Sequence, residues 1–469
     1  METHTPSASL DDLLQRQRGA WRSRTPDHAQ RMHDLAALRA VFKARLEEFA
    51  RAVSDDFGHR PRAETLLADG MPVLREIDHA RKHLRRWMRR KRAAADATFF
   101  PAHCEIITRP LGVVGIVSPW NYPVNLALVP LVDALAAGNH VMLKPSEHTP
   151  RTAALLAEML AQALPTERVA VVQGGADVAA AFTALPFDHL LFTGSTAVGA
   201  KVLATAAPNL TPVTLELGGK SPAILAPGCV NARNVDRIAA GKFLNAGQTC
   251  IAPDYVLVHE VERDAFVSLL RDYVARHYPS LRAGDFAGIV NDAHYARLQA
   301  WLHEARAAGA RIVPLHDENP ANATRRILAP TAVLDAPESV ALMREEIFGP
   351  VLPIVTYRHL DEAIAYVNAR PRPLSLYVFD DDRARVARVL SACTAGNVAV
   401  NDCVFQFAQS RLPFGGVGPS GMGAYHGHAG FLTFSRRTPV FRQARWSATA
   451  WLRPPYGART ERLLRWLLR

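Results

Sequence analysis

Short apolar runs alternate with helix-forming stretches along most of this chain, and that alternation limits its fold more than any other feature. Val113-Val114-Gly115-Ile116-Val117, His140–Leu143, Val169–Val172 and His189–Phe192 are too short for helices and rich in aliphatic side chains. Between them, the apolar stretch to about Ala137, then Thr152–Leu164 and Ala176–Ala184, carry helical spacing. Strands that are apolar throughout are buried on both faces, and strand–helix alternation predicts a parallel sheet with helices on either side. A second α/β series begins near Gly218-Gly219. It runs through a helix over Val235–Leu244, a strand over Tyr255–His259 and helices over Glu262–Tyr278 and Ala296–Ala307. Strands over Thr331–Leu334, Val351–Val355 and Val398–Asn401 follow. Residues 10–95 read as helical, because Leu35, Leu38, Val41, Phe42 and Leu46 recur at helical spacing. The glycine-rich stretch Leu412–Gly423 predicts a loop. A chain of 469 residues points to roughly three domains rather than one core.

Composition excludes several classes. With 49% hydrophobic and 21% charged residues, the chain is neither disordered nor fibrous. No apolar run is long enough to span a bilayer, and the start lacks the pattern of a secretory leader. The five cysteines are scattered and form no Cys-x-x-Cys pair, which argues against a disulfide scaffold or structural zinc and for a reducing, cytoplasmic setting. The net charge of +11 is concentrated in Arg81–Arg92 and in the tail after Arg436. No aromatic platform or zinc finger accompanies it, so solvated helix faces are expected rather than nucleic-acid binding.

Three segments contain residues suited to chemistry. Cys250 lies in Asn245-Ala246-Gly247-Gln248-Thr249-Cys250, a small-residue turn after a helix, where main-chain N–H groups can approach a reacting oxygen. A cysteine nucleophile needs a base. The nearest histidine in sequence, His259, is carried away by the following strand. Glu216, flanked by Leu215 and Leu217, is the alternative, since apolar neighbours raise a carboxyl pKa; an outward-facing residue paired with Lys220 is the competing reading. Asn121, between Pro119 and Pro123, is rigidly held and suited to donate to an oxyanion, or simply to satisfy a turn. A Gly-x-Gly-x-x-Gly fingerprint is absent. Gly194-Ser195-Thr196-Ala197-Val198-Gly199 nevertheless follows a strand and opens a helix, which offers N–H groups to a phosphate.

Taken together, these segments resemble the aldehyde dehydrogenase superfamily from about residue 15 to 445. The matching motifs are PWNYP at 119–123, KPSE at 144–147, FTGSTAVG at 192–199, LELGGKSP at 215–222, NAGQTC at 245–250, EEIFGPV at 345–351 and PFGGVGPSGMG at 413–423. The CIAPDYVLV and GAYHGHAGFLTFS stretches are similar to the short, class 3-like branch, and within it to bacterial coniferyl aldehyde dehydrogenases. The resemblance implies that Cys250 attacks the aldehyde, Asn121 and the Cys250 N–H hold the oxyanion, and Glu216 activates water to release the acid from a thioester. It implies cofactor contacts by Trp120, Lys144, Glu147, Gly194, Ser195, Thr196, Gly199, Glu346 and Phe348. NAD is the expected cofactor, with NADP open, because Glu147 near the ribose 2′ oxygen would repel a phosphate.

The implied fold is α/β. A Rossmann-like NAD-binding domain would draw on residues 1–91 and 111–217, and an α/β catalytic domain on 218–419. A small β-hairpin oligomerisation arm would use 92–110 and 435–447, giving a homodimer. Residues 448–469 form a basic tail in which Leu463, Leu464, Trp466, Leu467 and Leu468 share one helical face, suited to subunit docking or to peripheral contact with an anionic membrane. Cys403, Phe405 and Phe407 depart from the branch's pattern. Tyr122, Phe405 and Phe407 are the expected lining of an aromatic substrate pocket, for an aldehyde such as coniferaldehyde or a medium- to long-chain aliphatic one. The alternatives are a CoA-acylating or semialdehyde dehydrogenase of the same superfamily, against which Glu216 speaks, and a non-catalytic membrane- or polyanion-binding protein.

Overall fold

The computed structural model describes residues 7–281, 283–318, 326–447, 449 and 453–468. It is a mixed α/β structure built around three sheets. The first has six strands, in the spatial order Gly421–Met422, Val213–Glu216, His189–Thr193, Val113–Val117, His140–Lys144 and Val169–Val171. All its neighbours are parallel except the Gly421–Met422 edge. Every residue of Val113–Val117 and His140–Lys144 is buried, as runs without alternation require. The register pairs Val117 with Lys144 and with Phe192, and Thr193 with Glu216. The C-terminal ends of these strands therefore open side by side, where ligands bind in doubly wound sheets.

The helix Asn125–Ala137 is buried along its whole length, a consequence of being apolar all round. It packs against Met71–Trp87 and His28–Ala44. It ends at Gly138, whose φ of 94° is left-handed. The N-terminal part is broken rather than one helical run to residue 95. Helices Ser7–Ser23, His28–Ala44 and Leu46–Asp56 are followed by a Gly58–Pro61 break and then by a π-helical turn at Leu66–Gly70. Met71–Trp87 ends before the strand Lys91–Ala93.

The second sheet has seven strands, in the order Arg311–Pro314, Thr331–Leu334, Val351–Tyr357, Tyr255–His259, Pro222–Leu225, Ser375–Phe379 and Asn397–Val400, parallel except for the first pair. The third is not a simple hairpin. Lys91–Ala93, His103–Pro110 and Ser435–Arg442 make a three-stranded antiparallel sheet. Leu412–Gly423 is not wholly loop either, because Gly421 and Met422 pair with Glu216 and Leu215. The helix Ala458–Leu467 leaves Trp466 71% and Leu468 83% exposed. Among the described residues no helix is long and apolar enough to cross a membrane.

Gly138 supplies a test of the packing. A Cβ there would lie 2.4 Å from Nη2 of Arg31, at a φ that side chains rarely adopt. Arg31 in turn donates to Pro26 O and Ala136 O. Gly138→Ala is expected to cost about 1–3 kcal/mol in urea unfolding. It should leave kcat per folded molecule unchanged, because Gly138 lies at the opposite end of the strands from the cleft.

Candidate active site

Two turns build the site. The first, residues 118–123, leaves the C-terminal end of Val113–Val117 and is tied back by Ser118 N–H donating to Lys144 O at 3.1 Å. The second follows the helix Ala232–Phe243, where Asn245, Ala246 and Gly247 adopt φ values of 53°, 50° and 73°. Three left-handed residues in succession reverse the chain tightly. A Cβ at Gly247 would sit 2.3 Å from Gly349 O, so that position has no room for a side chain. The turns are bonded to each other. Asn121 Nδ2 donates to Gln248 O (3.1 Å), Asn245 Nδ2 to Asn121 O (3.0 Å), and the Tyr122 and Thr249 hydroxyls lie 2.6 Å apart.

This arrangement brings Asn121, Glu216 and Cys250 to one cavity of about 300 Å³, shared with Trp120, Gly194, Ser195, Glu346 and Phe348. Thirty-four positions separate Glu216 from Cys250 in sequence. Glu216 ends its strand buried, and neither carboxylate oxygen has a hydrogen-bond partner among the described residues. Burial alone pushes its pKa well above the carboxylate range. Burial also pushes the Cys250 thiol up, reinforced by Glu346 and Glu216 and opposed by the N–H groups of Cys250 and Ile251. Burial thus disfavours the thiolate, and the same cavity holds a carboxylate whose basicity burial raises, as a proton acceptor needs.

Glu346 is pushed up to about 8 by burial and then by Asp254, against Gly219 N–H, Lys220 and Arg297. Its Oε1 lacks a partner among the described residues. A larger cavity of about 920 Å³ adjoins the first and shares Ser195, Gly218, Arg297 and Glu346 with it; Thr196 also lines it. Ser195 caps the helix Thr196–Ala206, accepting from Val198 N–H at 3.4 Å. Gly199 of that helix lies under Leu217, where a Cβ would be 2.5 Å away. Lys144 is buried and donates to Pro145 O (2.9 Å), with Glu147 at 3.4 Å; it lines neither cavity, nor does Glu147. Trp120 and Phe348 meet edge-to-face at 5.3 Å. The donor set suits a dinucleotide: a helix N-terminus for phosphate, glycines where side chains would fill the cleft, and an unpartnered buried carboxylate oxygen for a ribose hydroxyl.

Several residues sit elsewhere than the sequence suggests. Lys220 pairs with Asp254, not Glu216, and also donates to Leu342 O and Glu345 O. Tyr122, Phe405 and Phe407 do not border the Cys250 cavity. Tyr122 is buried against Arg60, whose guanidinium carbon lies 4.8 Å from the ring centroid. Val404 has a left-handed φ of 68°, and the tight turn there leaves Phe405 60% exposed. Phe407 packs on Phe414 and His426 at 4.8 and 4.6 Å. Cys403 is buried in the core of the second sheet. Sequence reasoning does not single out His294, Arg297 or Asp254. The first two line the cavity. Asp254 Oδ1 accepts from Ile347 N–H at 2.8 Å, joining the Lys220 and Glu346 segments. The only signal in the sequence is the Asn291-x-x-His294 helix start.

A doubly wound protein with a thiol, an unpartnered carboxylate and a side-chain amide facing a dinucleotide-sized cleft belongs among the cysteine-dependent oxidoreductases. The sequence matches the aldehyde dehydrogenase family over residues 13–440. It is 48% identical to the "Probable coniferyl aldehyde dehydrogenase" of Pseudomonas aeruginosa, over 97% of this chain and 95% of that one. Among solved structures, substrate-bound AldH of Staphylococcus aureus is similar, with a TM-score of 0.92 and 35% identity over 98% of this chain and 99% of the other. An indole-3-acetaldehyde dehydrogenase of P. syringae, in complex with NAD+, is similar with a TM-score of 0.85 and 25% identity, over 93% and 89%. The chain belongs to the aldehyde dehydrogenase family and is an NAD(P)-dependent aldehyde oxidoreductase.

Gly218 tests the placement of Glu346. A Cβ at Gly218 would lie 1.9 Å from Glu346 Oε2. Gly218→Ala is expected to displace that carboxylate and lower kcat/KM for the cofactor by about 10²-fold. Steady-state kinetics with the cofactor varied at saturating aldehyde measure it.

Proposed function

We propose that this protein oxidises an aromatic aldehyde of the coniferaldehyde kind to its carboxylic acid, with Cys250 as nucleophile and Glu216 as base. The observation that carries the reading is the unpartnered, buried Glu216 carboxylate sharing one small cavity with Cys250 and Asn121. Glu216 takes the thiol proton as Cys250 Sγ bonds to the carbonyl carbon. The resulting oxyanion accepts from Asn121 Nδ2 and the Cys250 N–H. The bound nicotinamide supplies a hydride acceptor. As the oxyanion re-forms its C=O bond, the hydrogen on that carbon leaves with its electron pair and a thioester remains. Glu216 releases the thiol proton to solvent and, again a carboxylate, takes a proton from water as the water oxygen attacks the thioester. The C–S bond breaks, Cys250 Sγ recovers that proton from Glu216, and the acid departs.

On this reading the six-stranded sheet carries the cofactor, with Ser195, Gly194, Thr196 and Gly199 at the phosphates. Lys144 and Glu147 serve the adenosine ribose, Glu346 the nicotinamide ribose, and Trp120 and Phe348 the ring. Glu147 favours NAD by repelling a 2′-phosphate. The first sheet and its helices form the cofactor domain and the seven-stranded sheet the catalytic domain. The three-stranded sheet pairs two subunits, its exposed Phe441 and the exposed Phe100 in the connection between its first two strands being suited to a partner surface. The five cysteines are all unpaired, which suits a reducing cytoplasm. The aromatic preference is supported by the name of the P. aeruginosa relative. A panel of coniferaldehyde, benzaldehyde and medium-chain alkanals should rank the aromatic members first in kcat/KM; preference for the alkanals would reverse that assignment.

Glu216→Gln removes the base from both half-reactions. It should slow NADH formation in the first turnover, hold it to at most one equivalent per subunit, and lower steady turnover by about 10²–10⁴-fold, as stopped-flow absorbance would read. Normal steady turnover would overturn the base assignment. The raised pKa of Glu216 also sets the sign of the pH profile. The base works deprotonated, so kcat/KM should fall as pH is lowered, beginning well above the ordinary carboxylate range, a limb that Glu216→Gln removes.

A further inference from the structure

A buried ion pair lies directly behind the two turns, and the steps above do not use it. Arg60 has no exposed side-chain surface and Asp69 almost none, and Arg60 Nη1 lies 3.0 Å from Asp69 Oδ2. Asp69 Oδ1 accepts from the N–H groups of Val124 (3.1 Å) and Asn125 (2.9 Å), where the central buried helix begins. The same Arg60 Nη1 donates to the main-chain carbonyl of Asn121 at 3.2 Å. Asn245 Nδ2 reaches that carbonyl from the other turn at 3.0 Å.

Stability does not account for this arginine. Its Nε and Nη2 are buried without a hydrogen-bond partner among the described residues. Asp69, the nearby buried Glu64 and the faces of Phe57 and Tyr122, at 5.5 and 4.8 Å, meet the rest of it, yet apolar replacement of a buried ion pair is often neutral or stabilising. An apolar side chain, however, cannot hold the Asn121 carbonyl. Two donors on that oxygen fix the peptide plane after Asn121, and so the direction in which its side chain leaves the backbone. One side-chain N–H is then spent on Gln248 O at 3.1 Å. The other is left for the cavity that holds Cys250.

We infer that Arg60 is a positioning residue for aldehyde oxidation, locking Asn121 so that its free amide N–H meets the oxyanion formed on the substrate. This rests on the reading of Asn121 as oxyanion donor. Arg60 touches neither substrate nor cofactor in this role. Its effect belongs to kcat, because the donor matters only once negative charge develops.

A double-mutant cycle on the full-length enzyme tests it, with Arg60→Lys, Asn121→Ala and the pair. Lysine keeps the charge and loses the fork. Arg60→Lys is expected to lower kcat by about 10-fold or more, with little change in KM or in NADH binding read by fluorescence. In the Asn121→Ala background the same substitution should cost almost nothing, since the group it orients is gone. An equal loss in both backgrounds would assign Arg60 a structural role and overturn the inference, as would no loss in the parent. If Asn121→Ala leaves kcat unchanged, the oxyanion reading fails and takes the inference with it. That outcome differs from a slow Asn121→Ala beside an unaffected Arg60→Lys, which overturns the inference alone. Should Arg60→Lys not fold, Asp69→Asn replaces it in the cycle: it keeps an acceptor for Val124 and Asn125 while releasing the guanidinium. The same coupling is expected, and its absence overturns the inference.

Discussion

Gln248 is fully buried, and the site depends on how its polar groups are used. Its side-chain Nε2 donates to Asn245 O and Gly288 O, both at 3.0 Å, and its Oε1 accepts from Val290 N–H at 3.0 Å. Its main-chain N–H donates to Asn245 O at 3.0 Å, and its carbonyl accepts from Asn121 Nδ2. Leaving a buried donor or acceptor unmet costs about 1–3 kcal/mol, so each bond constrains the others. The left-handed turn at 245–247, the 288–290 segment and the Pro119–Pro123 turn come from distant parts of the chain, and this one residue joins them. Cys250 lies two positions further on and inherits that placement.

The electrostatics of the cavity follow from burial outweighing its one lining guanidinium. A thiol and two carboxylates, Glu216 and Glu346, share a space of about 300 Å³ with Arg297, which opposes but does not cancel the upward shift at Glu346. Burial favours the neutral form of each, and nearby carboxylates add to it at Cys250 and Glu346. An ionised Cys250 in that setting would be costly without a proton acceptor close by. The same desolvation raises the basicity of Glu216, and it does so by burial alone, with no charge partner contributing.

Much of this is legible in the sequence. Strands buried on both faces announce themselves as unbroken apolar runs, so Val113–Val117 and His140–Lys144 can be read from their residues alone. The motifs around Asn121, Glu216 and Cys250 are readable too, because tight turns need prolines and small residues at fixed places. Arg60 and Asp69 are not. They lie nine positions apart, with a short helix between them and Asp69 inside the π-turn that follows, and either would pass for a solvated helix residue. Asp254 is equally silent, because its partners Lys220 and Ile347 are far away in sequence. Phe405 misleads, because side-chain direction there hangs on the positive φ of Val404, which composition does not reveal.

The buried cations show where the chain gives up stability. Arg60, Lys144 and Lys242 are each about 1% exposed. Desolvation lowers the pKa of Lys144, and it lowers that of Lys242 to about 8. Such groups contribute little net stability compared with apolar side chains of the same volume. Arg31 is buried at the far end, by Gly138, but these three lie along the elements that build the site. Lys144 ends the strand beside Val117, Lys242 sits on the helix that leads into the Cys250 turn, and Arg60 grips Asn121. A chain selected for stability alone would fill these places with leucine or methionine. Fixed charges and dipoles around a reacting centre lower the reorganisation needed when charge develops, and burial strengthens each of them. Buried cations on the elements that carry Asn121 and Cys250 therefore mark a part of the core arranged around a reaction as well as around packing.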